Sequence, residues 1–493
     1  MKYFSLLLLL AAFCVQGQSL YKRTWATAIP ISDKPVQPFS SKRIVKSTPF
    51  VAEVNPNTGN LFVVNPEGNE IFMYNTDNPV SVPFFKIPAE DLSFIEQIKF
   101  DSRNNMIITG TTKSTGLATK DAYSHEKLEN KYSGDWFIAK INKNGSLVWA
   151  TYFHEMPQNT AHLAIDKDNN IYVLNKRIKS DVLPSPAFQP TGDPASVLQK
   201  QDVISKFSAG GKHLWSTFYA NDQSKLLALE AGKNGLFVYG IHLTLTTSAG
   251  YFGTPGTFQE TIKGNERNTS AVFLSKFGFD GKRQWSTYFG LKTYAPLAPF
   301  YISKNSSPLA VVGDDAYILA AHQSDLFTNL ATQDVYSNAS GTSRTVTAFS
   351  GKGARKWTTY VETGDMIEKS ADGKQLFITA TTVDFFKNDP FVKTTRNAYQ
   401  PDGGGTSDIL TYTLSTDGKQ VKYATWYGFK GYDTGITLPA PKGYYTIGFS
   451  QYNSKPDTPF ATDNAPLNKF TYIHDNDYMG NFIGYFTLQR AAE

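Results

Sequence analysis

Cysteine is nearly missing from this chain: Cys14 is the only one among 493 residues. Everything after it is therefore without disulfides, cysteine–zinc sites or thiol chemistry. Long apolar runs are missing too. The one apolar stretch, Phe4 to Val15, is too short to span a bilayer, and no later segment is long enough. With Lys2 before it and small or polar residues to Gln18 after it, the stretch has the layout of a secretory signal peptide, expected over residues 1–18. A lipid anchor on Cys14 is disfavoured by Phe13, which stands where such signals carry a small residue. An excess of one charge is missing as well. Forty-eight basic residues face 43 acidic ones, a net +5 with no basic run or stripe. A nucleic-acid partner is therefore not expected, although an anionic partner is permitted. A secreted chain without disulfides must be held by its core, and 41% hydrophobic residues can supply one. Sequons at Asn144, Asn268, Asn305 and Asn338 matter only in a eukaryotic secretory route.

What the chain does have is a repeat. FIAKINKNGSLVWATYF (137–153), VISKFSAGGKHLWSTFY (203–219) and VFLSKFGFDGKRQWSTYF (272–289) share an alternating run, a glycine turn and Trp-x-Thr. VTAFSGKGARKWTTYV (346–361) and ILTYTLSTDGKQVKYATWY (409–427) repeat it, the last with Tyr423 for Trp. Period-two alternation across Asn-Gly or Asp-Gly predicts a β-hairpin. The aromatic positions 149, 215, 285, 357 and 423 lie 66 to 72 residues apart. A second hairpin sits between these, as in VAEVNPNTGNLFVV (51–64), IEQIKFDSRNNMII (95–108) and AHLAIDKDNNIYVL (161–174). It recurs at 228–239, 310–319, 368–379 and 437–447, making seven copies. Two hairpins per unit give a four-stranded antiparallel sheet, and seven units in a ring give an all-β, seven-bladed β-propeller.

The last unit ends on its third strand, FIGYFTLQ (482–489), with no fourth. YKRTWATAIP (21–30) matches LVWATYF, with Trp25, Ala26 and Thr27 in register with Trp149, Ala150 and Thr151. The N-terminal strand is therefore expected to complete the last blade, which would otherwise leave two open sheet edges. One domain is expected over 19–493, with blade seven formed by about 434–489 plus 21–30. GTPGTFQ (253–259) followed by AVFLSKFGFDGKRQWSTYFG resembles the SBBP-type β-propeller repeat of secreted bacterial proteins. AFQ (187–189), DAY (121–123) and NAYQ (397–400) echo its middle part. The resemblance covers about six blades, the first (about 47–93) being degenerate. It implies architecture and is nearly silent on function.

Departures from the repeat point to candidate residues. With strands A to D running outward from the axis, the B–C and D–A loops share one face around the channel mouth, where ligand sites gather. At the end of strand B the repeat has a small residue and then Thr, as in Gly110-Thr111-Thr112 and Ala380-Thr381-Thr382. Blades three, four and five place Arg177, His242 and His322 in the Thr column. The D–A loops add His154 and His162 after blade two, Lys292, Tyr294 and Tyr301 after blade four, and Lys430, Tyr432 and Asp433 after blade six. Four of the seven histidines thus fall on one face.

The simplest readings take several motifs out of contention. Trp-x-Thr is expected to be structural, with rings packed between blades. DKDNN (166–170) lies in an A–B turn and lacks the Gly and Glu of a calcium-binding EF-hand loop, so it reads as a turn, as does NPNTGN (55–60). A zinc site from His154, His162, His242 and His322 is weighed and not adopted, and no cofactor is required by the sequence. No nucleophile elbow, phosphate loop or HExxH helix is present.

Two functions remain. The first is a polysaccharide lyase acting on an anionic, uronate-containing glycan of the ulvan type. Arg177 would neutralise the carboxylate, His242 or His322 would act as base, and Tyr294 or Tyr301 as acid or partner. His154, His162, Lys292, Lys430 and Tyr432 would bind substrate. The architecture is similar to that of secreted seven-bladed propellers that cleave ulvan with His, Arg and Tyr, a similarity at the level of fold. Paired-carboxylate hydrolysis fits less well, because Glu155, Asp384 and Asp433 fall on separate blades. The second is a non-catalytic extracellular or cell-surface scaffold that binds glycan or protein. A monomer is expected in either case.

Overall fold

The computed structural model describes residues 20–29, 51–65, 68–87, 93–126, 135–156, 162–183, 185, 187–194, 196, 198–219, 224–244, 251–262, 269–289, 307–321, 330–338, 344–383, 394–429, 431–452, 471–474 and 477–489. Residues 1–18, the expected signal segment, lie outside them. Among the described residues there are strands and turns only, and no helix is long and apolar enough to cross a membrane.

Alternation of branched and aromatic residues, cut every few positions by glycine or asparagine turns, gives 29 strands among the described residues. The first, β1 (Tyr21–Ile29), stands apart from its neighbours in sequence. Blade one is β2 (Ala52–Val54), β3 (Leu61–Val64), β4 (Glu70–Asn75) and β5 (Asn78–Lys86). Blade two is β6 (Ser93–Phe100), β7 (Met106–Thr112), β8 (Asp135–Ile141) and β9 (Leu147–Phe153). Blade three is β10 (Leu163–Ile165), β11 (Ile171–Ile178), β12 (Lys200–Phe207) and β13 (His213–Phe218). Blade four is β14 (Ser224–Ala231), β15 (Leu236–Thr244), β16 (Thr269–Phe277) and β17 (Arg283–Phe289). Blade five is β18 (Leu309–Val312), β19 (Asp315–Ala321), β20 (Arg344–Phe349) and β21 (Arg355–Val361).

Blade six is β22 (Met366–Lys369), β23 (Gln375–Val383), β24 (Ser407–Ser415) and β25 (Val421–Tyr427). Blade seven begins with β26 (Tyr432–Ala440) and β27 (Gly443–Tyr452). The short β28 (Thr471–His474) folds back on the long β29 (Asp477–Leu488), the blade's third strand. A single parallel bridge, Ser407 to Tyr432, joins blades six and seven into one continuous sheet.

Each blade has its first strand innermost. Consecutive inner strands β2, β6, β10, β14, β18, β22 and β26 are neighbours, and β26 is next to β2, so the ring closes. The fourth strand of blade seven is β1, which runs antiparallel to β29 with Trp25 opposite Tyr485, Ala26 opposite Gly484 and Thr27 opposite Ile483. That is the closure expected from the sequence.

Trp-x-Thr builds the contacts between blades and within them. Each of these tryptophans donates its indole N–H to a carbonyl at or next to a turn of the following blade. Trp149 reaches Ala209 O at 3.2 Å, Trp215 Phe279 O at 3.1 Å, Trp285 Gly351 O at 2.9 Å and Trp357 Thr416 O at 3.2 Å. Trp25 does the same for blade one, at 2.9 Å from Thr76 O. The threonine two places on accepts a backbone N–H from the B–C loop: Thr217 from Gln189, Thr287 from Gln259 and Thr425 from Gln400. The Phe-Gln and Tyr-Gln motifs are thereby pinned to the outer strand.

The turn glycine under Trp149, Trp215, Trp285 and Trp357 is needed twice over. Gly353 has φ +84°, and a methyl group on it would lie 2.9 Å from the Trp285 ring. Gly353→Ala is expected to cost at least about 1 kcal/mol, read as a lower denaturation midpoint at unchanged m value.

Candidate functional site

Three of the rim residues singled out above meet partners at the junction of blades two and three. The chain leaving β9 is held against β11 by Lys176 N–H donating to Glu155 O at 2.7 Å, and the Glu155 carboxylate pairs with Lys200 at 2.8 Å. This sets His154 beside Arg177. Arg177 Nη1 lies 2.6 Å from His154 Nε2, and Arg177 Nε donates to Asp181 Oδ2 at 2.9 Å. Arginine only donates, so His154 Nε2 carries its lone pair in this arrangement. The Arg177 side chain is 16% exposed and the Asp181 side chain 30%. Below them the rings of Phe153, Phe207 and His213 pack edge to face, with centroids 5.1 to 5.4 Å apart. Burial, then Arg177 and His154, lower the His213 pKa. His213 also bonds Ser216 Oγ at 2.8 Å.

His242 occupies the same column of the repeat as Arg177 but is placed differently. It is fully buried, stacked on Tyr288 and enclosed by Tyr251 and Phe252. Its Nδ1 lies 2.9 Å from Tyr288 Oη, which also accepts the backbone N–H of Phe252. Burial lowers its pKa from 6.5 to about 4. The column therefore splits: Arg177 turns to the loop from the preceding blade, and His242 into the packing of its own.

A base that the fold keeps neutral stabilises fully above pH 6.5, and this stability is lost as pH falls through about 4. The loss is at most about 3 kcal/mol. Urea unfolding at a series of pH values should show that acid limb in the native chain and a flatter one in His242→Gln.

His162 is buried as well. Its Nε2 lies 2.7 Å from Thr109 Oγ1 of blade two, and Trp136 meets its ring edge-on. The three described histidines of the weighed zinc set thus sit with three different partners. Among the described residues no group of three or more His, Cys, Asp or Glu is placed to hold a metal ion. Tyr432 opens β26 and is 40% exposed. Lys292, Tyr294, Tyr301, His322 and Lys430 lie outside the described residues, as does Asp384.

Two groupings escaped the sequence reading. Asp433 is not alone: it and Asp408, both fully buried, flank Gly428. A methyl group on that glycine would lie 1.9 Å from Asp408 Oδ1 and 3.0 Å from Asp433 Oδ2. Asp433 accepts the Phe429 N–H at 2.6 Å and Asp408 that of Gly405 at 3.3 Å, so the pair organises the loops between blades six and seven. Asp408 opens its strand as Asp135 and Asp202 open or nearly open theirs, and it was hidden by belonging to the repeat.

The second grouping lies in the channel. The inner strands bring Glu53, Lys99, Glu230, Glu368 and Lys369 together, with Gln97 and Ser307 beside them. Lys99 pairs with Glu53 at 3.0 Å and Lys369 with Glu230 at 2.9 Å. The signal was available: in the aligned inner hairpins one column reads Glu53, Lys99, Ala164, Glu230, Ala310, Glu368, Leu438, four charges where a buried strand wants none.

No family model matches this chain, and no curated protein matches its sequence. Solved structures similar to it include the WD40 β-propeller domain of Doa1, at 8% identity over 96% of this chain and 98% of that one, with TM-score 0.38. A gluconolactonase from Xanthomonas campestris is 10% identical over 73% of this chain and 96% of its own, with TM-score 0.31. The quinohemoprotein alcohol dehydrogenase ADHIIG from Pseudomonas putida HK5 is 9% identical over 96% and 77%, with TM-score 0.36. At such scores these likenesses carry no functional argument, and the chain's own seven closed blades make it a β-propeller.

Proposed function

We propose that the protein is a secreted, carbohydrate-active propeller that engages an anionic, uronate-bearing glycan at the rim over blades two and three and cleaves it by β-elimination. The observation that carries this is the chain Asp181–Arg177–His154. Asp181 fixes the guanidinium through Nε, and one Nη1 proton goes to His154. Of five N–H donors, those bonds use two, and the rest offer the fork that a carboxylate fits. When Arg177 turns that Nη1 proton to a uronate carboxylate, it frees the Nε2 lone pair of His154 to face the α-proton of the same sugar.

In the reaction His154 takes that proton, and its electron pair becomes the new carbon–carbon double bond. The glycosidic oxygen leaves and is protonated by an acid, a role for which Tyr294 or Tyr301 is proposed. Arg177 stabilises the enolate-like charge that builds on the carboxylate. His154 replaces His242 as the proposed base, because His242 is enclosed and bonded to Tyr288. His322 stays the alternative base, Lys292, Lys430 and Tyr432 stay proposed substrate contacts, and His162 is assigned to the contact with Thr109. The likeness to the SBBP-type repeat is in keeping with a secreted propeller, and the fold-level similarity to ulvan-cleaving propellers with a glycan substrate. No metal enters this scheme.

One observation favours the second reading, a scaffold that binds without cleaving. Arg177 is balanced by Asp181 and Glu155 by Lys200, so these four described side chains carry no net charge. Calorimetric titration with an ulvan-type polysaccharide and with its carboxyl-reduced form separates recognition from cleavage. Binding of the native form alone is expected. Equal heats from both would remove the role given to Arg177.

A further inference from the structure

The channel holds charges that the rim chemistry does not use. Lys99 on β6 pairs with Glu53 on the neighbouring β2, whereas Lys369 on β22 reaches past β18 to Glu230 on β14. β18 lines the same space with Leu309, Ala310 and Val311, as does Ser307 just before it, and brings no charge. At the corresponding register β10 and β26 carry Ala164 and Leu438. Glu368 on β22 faces Lys99, Glu53 and Glu230 from the other strands and Lys369 on its own. Its carboxyl makes no hydrogen bond or ion pair with a described residue, although it lies between two ion pairs.

We propose that this network is a proton-regulated brace across the ring: with Glu368 protonated, Lys99 and Lys369 each serve one carboxylate, and when Glu368 ionises three carboxylates compete for two ammonium groups and the brace slackens. The electrostatics agree with the geometry. Burial, reinforced by Glu53 and Glu230 against the pull of Lys99 and Lys369, raises Glu368 from 4.5 to about 7. Burial raises Glu53 too, despite Lys99. Burial would also raise Glu230, but Lys369 and Lys99 outweigh it and hold that carboxyl below its ordinary value.

The direction of the effect follows. A carboxyl whose pKa is raised by folding favours the folded state most below 4.5, and that advantage disappears as pH rises through about 7. Gln has the shape of a protonated Glu, so Glu368→Gln is expected to fold. Thermal unfolding of the full chain and of Glu368→Gln is compared from about pH 5 to about pH 8. The midpoints should nearly coincide at the acid end, with the variant about 2 °C higher at the alkaline end. His242 titrates in both chains and cancels from the difference. In a Lys369→Met background the gap should widen, because a cation that eases ionisation is gone. A gap independent of pH, or a variant no more stable than the native chain at the alkaline end, would overturn the brace.

Discussion

Arg177→Ala is expected to lower cleavage of a uronate glycan by about 100-fold or more, the scale seen when a donor to developing negative charge is removed. The fold should survive it. Arg177 stands at the end of β11 with Asp181 and His154 as its partners, and Asp181 is exposed enough for water to replace the lost hydrogen bond. Arg177→Lys should recover part of the binding and little of the rate, because an ammonium cannot offer a planar fork. His154→Ala separates the roles differently. It should leave uronate binding within a few-fold of the native chain and remove turnover, since the imidazole is given the proton and not the carboxylate. If both variants weaken binding and neither affects a rate, the protein is a binding scaffold.

Trp25→Ala is the second large effect, and it tests the closure of the ring. Trp25 is 1% exposed, packs against Tyr74, Tyr445 and Tyr485, and donates to Thr76 O of blade one. Tyr74 and Thr76 belong to the first blade, Tyr445 and Tyr485 to the last. Truncating so large a buried ring costs about 3–5 kcal/mol. Trp285→Ala, at the junction of blades four and five, removes a similar ring and a similar hydrogen bond to Gly351 O. There the outer strand β17 is also tied to its partner β16 by a hairpin turn. At Trp25 no turn joins β1 to its partner β29, which comes from the other end of the sequence. Hydrogen exchange in β1 and β29 should therefore rise in Trp25→Ala and stay native-like in Trp285→Ala. A loss below about 1 kcal/mol for Trp25→Ala would mean that β1 contributes little to closure.

Much of the fold was legible because each blade repeats its own instructions. Period-two alternation, a glycine turn and Trp-x-Thr gave five outer hairpins, and the missing fourth strand of the last blade matched YKRTWATAIP, which pairs with β29. The candidate site was less legible for a physical reason. Alternation tells which residues share a face of a blade, but both faces of a blade are covered by its neighbours. His242 and Arg177 hold one column, yet the first is sealed under Tyr251 and Phe252 while the second meets the loop after β9. What decides between them is the loop that follows, and loop course is not periodic. The channel charges were missed for the opposite reason. Glu53, Lys99, Glu230 and Glu368 sit within the inner hairpins, so they were read as strand and not as a column lining the axis.

Central to the proposed function is the action of the rim over blades two and three on uronate carboxylates through Arg177 and His154. Its most direct test is the ultraviolet absorbance of unsaturated uronate released from an ulvan-type glycan by the native chain, by Arg177→Ala and by His154→Ala. A steady rise is expected with the native protein, none with either variant, and none from neutral glycans. No rise from any uronate glycan with a folded native chain, or an undiminished rise with both variants, would contradict it.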